Sequence, residues 1–433
     1  MRSYTRIGGS PVKVVLISAN THATILPVFP LGLACVAAAT RRAGHEAALI
    51  DLMFEADPLA AVRDSIANLC PDLIGISVRN IDDQVMESPQ FLLPQVREVV
   101  DACRRVSGAP IVLGGAGYSV FPESALRYLG ADMGIRGEGE AVFPAVLERM
   151  ARRAPVSGLP GLYLPGQAPT GRSFVTNLDD LPLPGAKLFM PSITRNADAW
   201  VPVQSRRGCP MDCSFCSTSA IEGRPIRKRS PQAIAEWLEQ LAESGFHNFQ
   251  FVDSMFNFPP AYAKELCRKI LERGQDLNLW CLIYPKWIDG ELADLMARAG
   301  CREVSLGFES GSDAMLGRLN KRFEAEEVRA VSRMFAGAGV QRRGFLLLGG
   351  PGETRESVEE SLGFADSLNL DALKVTVGVR IYPETPLAAT ALAEGIIRPD
   401  EDLLWPRFYL APGLRDWLPE RVGGYRASRA WVV

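Results

Sequence analysis

Apolar and polar positions in the first third of the chain alternate between two periods. Short apolar runs typical of buried strands are followed by longer segments with an apolar residue every three or four positions, which is typical of amphipathic helices. The pattern predicts five strands, at Val12–Ser18, Ala47–Leu52, Leu73–Ser77, Ile111–Leu113 and Met133–Ile135. It predicts helices between them, at Pro30–Arg42, Pro58–Leu69, Gln90–Val106 and Glu123–Leu129.

Strands that alternate with helices through short connections form a parallel sheet covered on both faces. We therefore predict an α/β domain with a flavodoxin-like, doubly wound sheet, which binds ligands outside the carboxyl ends of its strands. Ser77 and Arg79 end the third strand, and Gly114, Gly115 and Gly117 follow the fourth. Because glycine has no side chain, these three positions allow a ligand to approach the strand ends closely.

A stretch rich in Pro and Gly, from about Pro155 to Phe189, reads as a linker with a small hairpin. A second alternating series follows, with strands predicted at Val201–Ser205, Asn248–Val252, Leu279–Ile283, Glu303–Phe308, Arg343–Leu348 and Ala372–Val379. About six strand-helix units predict a partial (β/α)6 TIM-like barrel with its chemistry at the strand carboxyl ends. The expected division is therefore a first domain at 1–155, a linker at 156–195, a barrel at 196–392 and a short tail at 393–433.

The composition indicates the class of protein and its compartment, but it says little about the function. The net charge of −3 offers no general attraction for nucleic acid. Apolar runs stop well short of the roughly 20 residues that a membrane helix needs, and the N-terminal run lacks a signal cleavage site. Nine cysteines cannot all pair internally, which favours a reducing, cytoplasmic compartment. Six of them lie in apolar strand or helix patterns and are expected to pack as small hydrophobes: Cys35, Cys70, Cys103, Cys267, Cys281 and Cys301.

The other three cysteines form a C-x3-C-x2-C arrangement, Cys209, Cys213 and Cys216, directly after the first strand of the second series. Three thiolates on one short loop can hold three corners of a cubane iron-sulfur cluster and leave the fourth iron open. The alternative is a structural zinc site, which would normally recruit a fourth Cys or His. His247, the one histidine in the second half of the chain, lies on another element, so the spacing favours the cluster.

The triad and the segments after it resemble the radical S-adenosylmethionine (SAM) superfamily. The succession comprises RPIRKRSP, FVDSMF, LMARAGCREVSLGFESGSDAML, GFLLLGGPGET and IYPETPL. In the first domain, FPLGLACVAAATRRAGHEAALIDL, DLIGISVRN and IVLGGAGYSVFPE resemble the subgroup with an N-terminal cobalamin-binding domain. The resemblance implies a 4Fe–4S cluster on the three cysteines, with the open iron chelated by the amino and carboxylate groups of SAM.

The resemblance also implies contacts with the rest of SAM. Phe215 would lie against the adenine, and the GGPGET turn would place backbone amides near it. Asp253 and Ser254, at the end of the second barrel strand, match the position that holds the methionine amino group. Glu309 and Ser310, at the end of the fourth, match the ribose-binding position. The alternative for the two acids is that they are surface charges, and for the glycines of the GGPGET segment that they only form a turn.

In the first domain the resemblance implies that Ser77, Arg79 and the three glycines face cobalamin. Members that place a histidine on cobalt carry an Asp-x-His-x-x-Gly loop after the first strand. The corresponding loop, ANTHATILPVFP, contains His22 without that pattern, so His22 and His45 are expected to be ordinary polar positions. The resemblance therefore implies cobalamin without a protein histidine on the metal, and Arg79 or a neighbour below the cobalt.

The implied activity is a cobalamin-dependent radical SAM C-methyltransferase. It would methylate an unactivated carbon of a small molecule or natural-product intermediate through a 5′-deoxyadenosyl radical and methylcobalamin, with electrons from a flavodoxin or ferredoxin. Within enzymes, a rearrangement, a cyclisation or a polar methylation without hydrogen abstraction stays open, and so does a non-catalytic sensing module. A tRNA methylthiotransferase is disfavoured because the other cysteines are scattered. The tail aromatics either cap the barrel mouth or simply pack: Trp405, Phe408, Tyr409 and Trp417.

Overall fold

The structure is a computed structural model that describes residues 10–21, 29–168, 170–172, 174–190 and 199–432. The chain divides into two compact units. The first unit comprises Met1–Asp83, Phe91–Val201 and Ala220–Glu222, and the second comprises Gln84–Gln90, Pro202–Ser219 and Gly223–Val433. No helix in the described ranges combines the length and the apolar character needed to cross a membrane.

The first unit contains a six-stranded sheet in the order β2-β1-β3-β4-β5-β6. The strands are β1 (Lys13–Ser18), β2 (Glu46–Asp51), β3 (Leu73–Ser77), β4 (Ile111–Gly114), β5 (Met133–Ile135) and β6 (Leu162–Tyr163). The first five pair in parallel and β6 joins the edge in antiparallel orientation. This is the flavodoxin-like order, with its switch point between β1 and β3, so the predicted fold class is confirmed.

The helices of this unit are α1 (Leu31–Arg42), α2 (Pro58–Leu69), α3 (Leu93–Val106), α4 (Ala116–Val120), α5 (Pro122–Leu129) and α6 (Gly139–Ala151). Local sequence explains their ends. The Asp57 carboxylate caps α2 by accepting from Ala60 N at 2.9 Å, with Pro58 in the first turn. Helix α3 begins three residues later than the predicted Gln90, with a proline in its first turn, where a missing N–H costs nothing.

The second unit contains a six-stranded sheet in the order β14-β13-β12-β11-β10-β7. Its strands are β7 (Val201–Val203), β10 (Asn248–Phe251), β11 (Asn278–Ile283), β12 (Cys301–Glu309), β13 (Gln341–Leu348) and β14 (Ala372–Val377). Neighbouring strands from β10 to β14 pair in parallel, and β7 and β14 lie at opposite edges. The open, sequential order is that of a partial (β/α)6 barrel, as predicted.

Helices and short strands complete the second half of the chain. The helices are α7 (Thr218–Glu222), α8 (Pro231–Glu243), α9 (Pro260–Arg273), α10 (Gly290–Arg298), α11 (Asp313–Arg318), α12 (Ala325–Gly337), α13 (Arg355–Ser367), α14 (Pro386–Ala393) and α15 (Leu418–Ala427). Two antiparallel pairs lie outside the main sheet: β8 (Arg206–Arg207) with β9 (Arg227–Lys228), and β15 (Val379–Arg380) with β16 (Phe408–Tyr409).

The C-terminal segment packs on the barrel unit. Strand β16 pairs with β15, Val432 forms a bridge with Leu373, and the Tyr425 hydroxyl lies 2.9 Å from Asp366 Oδ1. Tyr409 is buried, whereas Trp405 is 57% exposed. Tyr409 therefore packs inside the protein, which is one of the two alternatives given for the tail aromatics.

Candidate functional site

The loop that carries the three cysteines follows β8 and returns through β9. Gly208, just before Cys209, has φ +92°, a conformation that favours glycine. A Cβ atom at Gly208 would lie 2.1 Å from the Pro225 carbonyl oxygen, so no other residue fits without movement. The Cys209 amide then donates to the Gly223 carbonyl at 3.0 Å. The start of the cysteine loop is therefore fixed by the backbone before any ligand is considered.

The three cysteines line one cavity, whose volume is about 400 Å³ when the space open to solvent at its entrance is included. Cys209 is buried, while Cys213 and Cys216 are half-buried. The remaining residues around the cavity include no histidine and no fourth cysteine: Met211, Asp212, Thr218, Ser219, Arg224, Glu384 and Pro386. Across the described ranges, no three His, Cys, Asp or Glu side chains stand close enough to hold a single metal ion. Three thiols spaced around a cavity fit a cubane cluster better than a closed tetrahedral zinc site.

Lys321, which the sequence did not single out, connects the cysteine loop to β12. Its Nζ lies 3.2 Å from Glu309 Oε1 and 5.4 Å from the centre of the Phe215 ring. The rings of Tyr284 and Phe323 lie at 5.8 Å each. Burial lowers the pKa of Lys321, but Glu309, Cys213 and Tyr284 together raise it, and the pKa lies above its ordinary value. In the sequence, Lys321 is simply a lysine soon after the GFESGSDAML segment. Because lysines are common on protein surfaces, its role could not be predicted from this position.

Glu309 ends β12 in a left-handed conformation, with φ +65°. A non-glycine residue in this region costs about 1–3 kcal/mol and is often found at functional sites. Its neighbour Ser310 is fully buried, and the Ser310 hydroxyl lies 2.9 Å from the Ser361 hydroxyl and accepts from Ser312 N at 3.1 Å. The structure therefore pairs Glu309 with Lys321, whose ammonium also lies near the Phe215 ring, whereas Ser310 is engaged within the protein.

Asp253 and Ser254 both contact the chain just before the cysteine loop. The Asp253 carboxylate is fully buried and accepts from Ser205 and Arg206, and the Ser254 hydroxyl donates to the Gly208 carbonyl at 3.2 Å. Neither residue is among those around the cavity of the three thiols. Their contact with the methionine amino group stays a prediction.

The glycine turn after β13 is held by Glu353, another residue absent from the predicted set. Glu353 Oε2 accepts from Gly350 N at 3.0 Å and also from Gly349 N, while Oε1 is buried without a hydrogen-bond partner. Gly349 itself has φ +100°, which explains a glycine at this position. Burial raises the pKa of the Glu353 carboxyl to about 7, against the smaller opposing effect of the two amides.

This raised pKa predicts a pH dependence of stability. A carboxyl whose pKa is higher in the folded chain stabilises it fully below the unfolded value of about 4.3, and the contribution is lost as the pH rises through the folded value. Between about pH 5 and about pH 8, we expect the free energy of unfolding of the wild type to fall by up to ~3 kcal/mol relative to Glu353→Gln. Urea unfolding followed by tryptophan fluorescence measures this, since all tryptophans except Trp200 lie in the second unit. The exposed Glu360→Gln is the control, and an equal difference at both pH values would contradict the prediction.

In the first unit, Ser77 and Arg79 line a cavity of about 250 Å³ at the carboxyl ends of β1 and β3. Burial lowers the pKa of the Arg79 guanidinium, and no charged group among the described residues opposes this effect. The cavity is completed by Ala19, Asn20, Thr21, Val78, Asn80, Leu92, Gln95 and Val96. Arg79 therefore lines this cavity as a buried guanidinium with no carboxylate partner in the part of the chain that the structure describes.

The three predicted glycines differ in what surrounds them. A Cβ atom at Gly115, where φ is +100°, would lie 2.6 Å from the Val78 carbonyl oxygen, and one at Gly117 would lie 2.9 Å from that of Arg79. These two glycines are therefore required by the close approach of the backbone after β3. At Gly114 the nearest atom, the Ile135 carbonyl oxygen, would be 3.9 Å away. Gly114 is the one of the three that leaves space for a ligand.

The structure describes one of the two histidines of the first domain, His45. His45 Nδ1 accepts from Val12 N at 3.2 Å, and burial lowers the pKa of its imidazole. That contact gives His45 a structural role, as expected. His22 lies outside the described residues.

Comparisons with known proteins match both units. The model of the B12 binding domain matches residues 17–147, and the model of the Radical SAM superfamily matches residues 203–365. The chain is 25% identical to a tryptophan 2-C-methyltransferase of Streptomyces laurentii, over 85% of this chain and 72% of that protein. It is also 25% identical to a cytidylyl-2-hydroxyethylphosphonate methyltransferase of Streptomyces wedmorensis, over 90% and 84% of the two chains.

A solved structure supports the fold over nearly the whole length. The radical S-adenosylmethionine methyltransferase TsrM from Kitasatospora setae, determined with cobalamin and a [4Fe–4S] cluster, superimposes with a TM-score of 0.86. The match covers 98% of this chain and 93% of that one, at 22% sequence identity.

Proposed function

The chain belongs to the cobalamin-dependent radical SAM methyltransferases, and from this premise we propose that it methylates an unactivated carbon of a small molecule or natural-product intermediate. Its family, fold class and cofactors, a 4Fe–4S cluster, SAM and cobalamin, are those predicted from the sequence. The observation that carries the proposal is the incomplete donor set, in which Cys209, Cys213 and Cys216 line one cavity without a fourth Cys or His. We assign these three thiols to the cluster.

When bound, the cluster and SAM supply the 5′-deoxyadenosyl radical that removes a hydrogen atom, and cobalamin supplies the methyl group. The chain's own residues would bind and orient the cofactors and the substrate and shield them from water. We propose that Phe215 packs against the adenine and that Glu309 receives the ribose. Lys321 holds the Glu309 carboxylate at 3.2 Å and so fixes its direction. Ser254 and Ser310 use their hydroxyls within the protein, which supports a role in shaping the site.

In the first unit we propose that cobalamin lies at the carboxyl ends of β3 and β4, against Ser77, Arg79 and Gly114. Arg79 or a neighbour would lie against the bound cobalamin. A guanidinium has five N–H donors and no acceptor, so it cannot act as an axial ligand. Because His45 Nδ1 accepts from Val12 N, its Nε2 carries the proton, which supports a form in which His45 is not on the metal.

The remaining proposals concern the substrate class, the electron donor and the domain bounds. The named relatives act on tryptophan and on a cytidylyl phosphonate, which supports a small-molecule substrate here. Nine free thiols suit a reducing cytoplasm and a low-potential donor such as flavodoxin or ferredoxin. We keep residues 1–155, 156–195, 196–392 and 393–433 as the proposed domain, linker, barrel and tail.

One experiment tests the function without knowledge of the substrate. The anaerobically reconstituted protein is incubated with cobalamin, a strong reductant and SAM that carries a deuterated methyl group. We expect 5′-deoxyadenosine together with a deuterated methyl group on the corrinoid. A labelled corrinoid without 5′-deoxyadenosine would favour polar methylation, and 5′-deoxyadenosine with an unlabelled corrinoid would favour rearrangement or cyclisation. The absence of both would leave a sensing module as the better description.

A further inference from the structure

We propose that Asp253 is a positioning residue for the cysteine loop, and that it acts on the cluster through Ser205 and Arg206 rather than by contact with SAM. The inference rests on the proposed assignment of the cluster to Cys209, Cys213 and Cys216. It gives Asp253 a role other than the one that the sequence predicted.

The first observation is that the Asp253 carboxylate already accepts several hydrogen bonds. Asp253 Oδ1 accepts from Ser205 N at 2.8 Å and from Arg206 N at 3.0 Å. Asp253 Oδ2 accepts from the Ser205 hydroxyl at 2.6 Å and lies 3.6 Å from Arg206 Nε. These three hydrogen bonds and the nearby guanidinium occupy most of the roughly four lone-pair sites of an ionised carboxylate, which leaves little capacity for an ammonium group. Asp253 is also fully buried.

The second observation is that Arg206 extends the same network to the loop after β10. Its side chain is fully buried, and its guanidinium donates to the carbonyls of Phe256 and Phe258. The guanidinium carbon lies 4.7 Å from the centre of the Tyr262 ring. Since a buried charge requires a partner, Asp253 and Arg206 each depend on the other to remain in place.

The third observation is where these contacts act along the chain. They fix the backbone at Ser205 and Arg206, and the Ser254 hydroxyl donates to the carbonyl of Gly208 at 3.2 Å. Tyr262 adds a hydroxyl contact to the Ser205 carbonyl at 3.3 Å. Cys209 follows immediately, so the anchored segment sets the position and direction from which the cysteine loop begins. A metal site tolerates only small errors in ligand position, and supporting residues hold those positions.

The test compares Asp253→Asn and Arg206→Gln with the wild type as full-length, reconstituted proteins. Asp253→Asn keeps the shape of the side chain but removes the charge that pairs with Arg206. We expect both variants to retain iron about tenfold less well during desalting, as typical for the loss of a supporting residue at a metal site. We also expect the electron paramagnetic resonance spectrum of the reduced cluster to change before SAM is added. The exposed Asp276→Asn is the matched control and should behave as the wild type.

The two roles of Asp253 give opposite results. If Asp253→Asn has normal iron content and a normal SAM-free spectrum, and differs only after SAM is added, Asp253 binds SAM and the inference is wrong. A normal Arg206→Gln cluster beside a defective Asp253→Asn cluster would also overturn it. A wild type that never binds an iron-sulfur cluster would instead remove the proposed function.

A milder variant decides the matter if those two proteins do not fold. Ser205→Ala removes only the hydroxyl that donates to Asp253 at 2.6 Å and leaves the ion pair intact. We expect a smaller loss of iron in the same direction, with unchanged cobalamin binding by the first unit. Iron retention equal to that of the wild type in a folded Ser205→Ala protein would overturn the inference.

Discussion

The Cys213→Ala protein is expected to form no detectable 5′-deoxyadenosine after reconstitution with iron and sulfide. Two thiols cannot hold a cubane cluster with a single open iron, so the electron has no route to SAM. Cys213 is the middle member of the triad, and it lines the same cavity as Cys209 and Cys216. We expect the loss to exceed about a hundredfold, because removal of a metal ligand abolishes the site rather than weakening it.

Iron and sulfide per chain, the absorption of the anaerobic protein and the yield of 5′-deoxyadenosine measure this effect. Cys70→Ala is the matched control, since Cys70 caps the end of α2 and is exposed in the first unit, contrary to the buried position that the sequence predicts for it. It should keep the wild-type iron content and yield. A normal yield from Cys213→Ala would remove the cluster assignment, as would zinc in place of iron in the wild type.

The second large effect is expected at Gly114, the last residue of β4. A Cβ atom there would have no protein atom nearer than 3.9 Å, so Gly114→Val should fold normally. The same side chain would occupy space outside the carboxyl end of the strand, where a doubly wound sheet binds its ligand. We expect cobalamin to bind at least about tenfold more weakly, which corresponds to about 1.4 kcal/mol.

Cobalamin per chain after gel filtration measures the loss, and 5′-deoxyadenosine formation without added cobalamin shows that the second unit is intact. Gly108→Val, at a position with no atom within 4 Å of the added Cβ, is the control in the same unit. Gly115 is less informative, because a side chain there would meet the Val78 carbonyl at 2.6 Å and disturb the protein itself. Full cobalamin retention by Gly114→Val would contradict the proposed ligand position.

The family pattern predicts where the SAM-contacting residues lie along the chain, but it does not predict the contacts of every side chain. The Lys321 ammonium lies 3.2 Å from Glu309 Oε1 and 5.4 Å from the centre of the Phe215 ring, and the contact of these two residues with SAM stays a prediction. Asp253 follows the right strand, yet its carboxylate is turned to Ser205 and Arg206. A pattern places a residue at the end of a strand, but the orientation and partners of its side chain depend on residues 47 and 48 positions away.

The sequence by itself determined what is local along the chain. Strand and helix periods, helix caps and the C-x3-C-x2-C spacing all arise from residues within a few positions of one another, so they were visible without the fold. The tertiary structure alone decided which side chains meet across long separations. It brought the Lys321 ammonium close to both Phe215 and Glu309, engaged the Asp253 carboxylate with the backbone just before the cysteine loop, and, of Gly114, Gly115 and Gly117, left open space only at Gly114. The physical reason is that backbone periodicity follows from local sterics and burial, whereas the pairing of buried charges and the space beside a strand end depend on how distant segments pack.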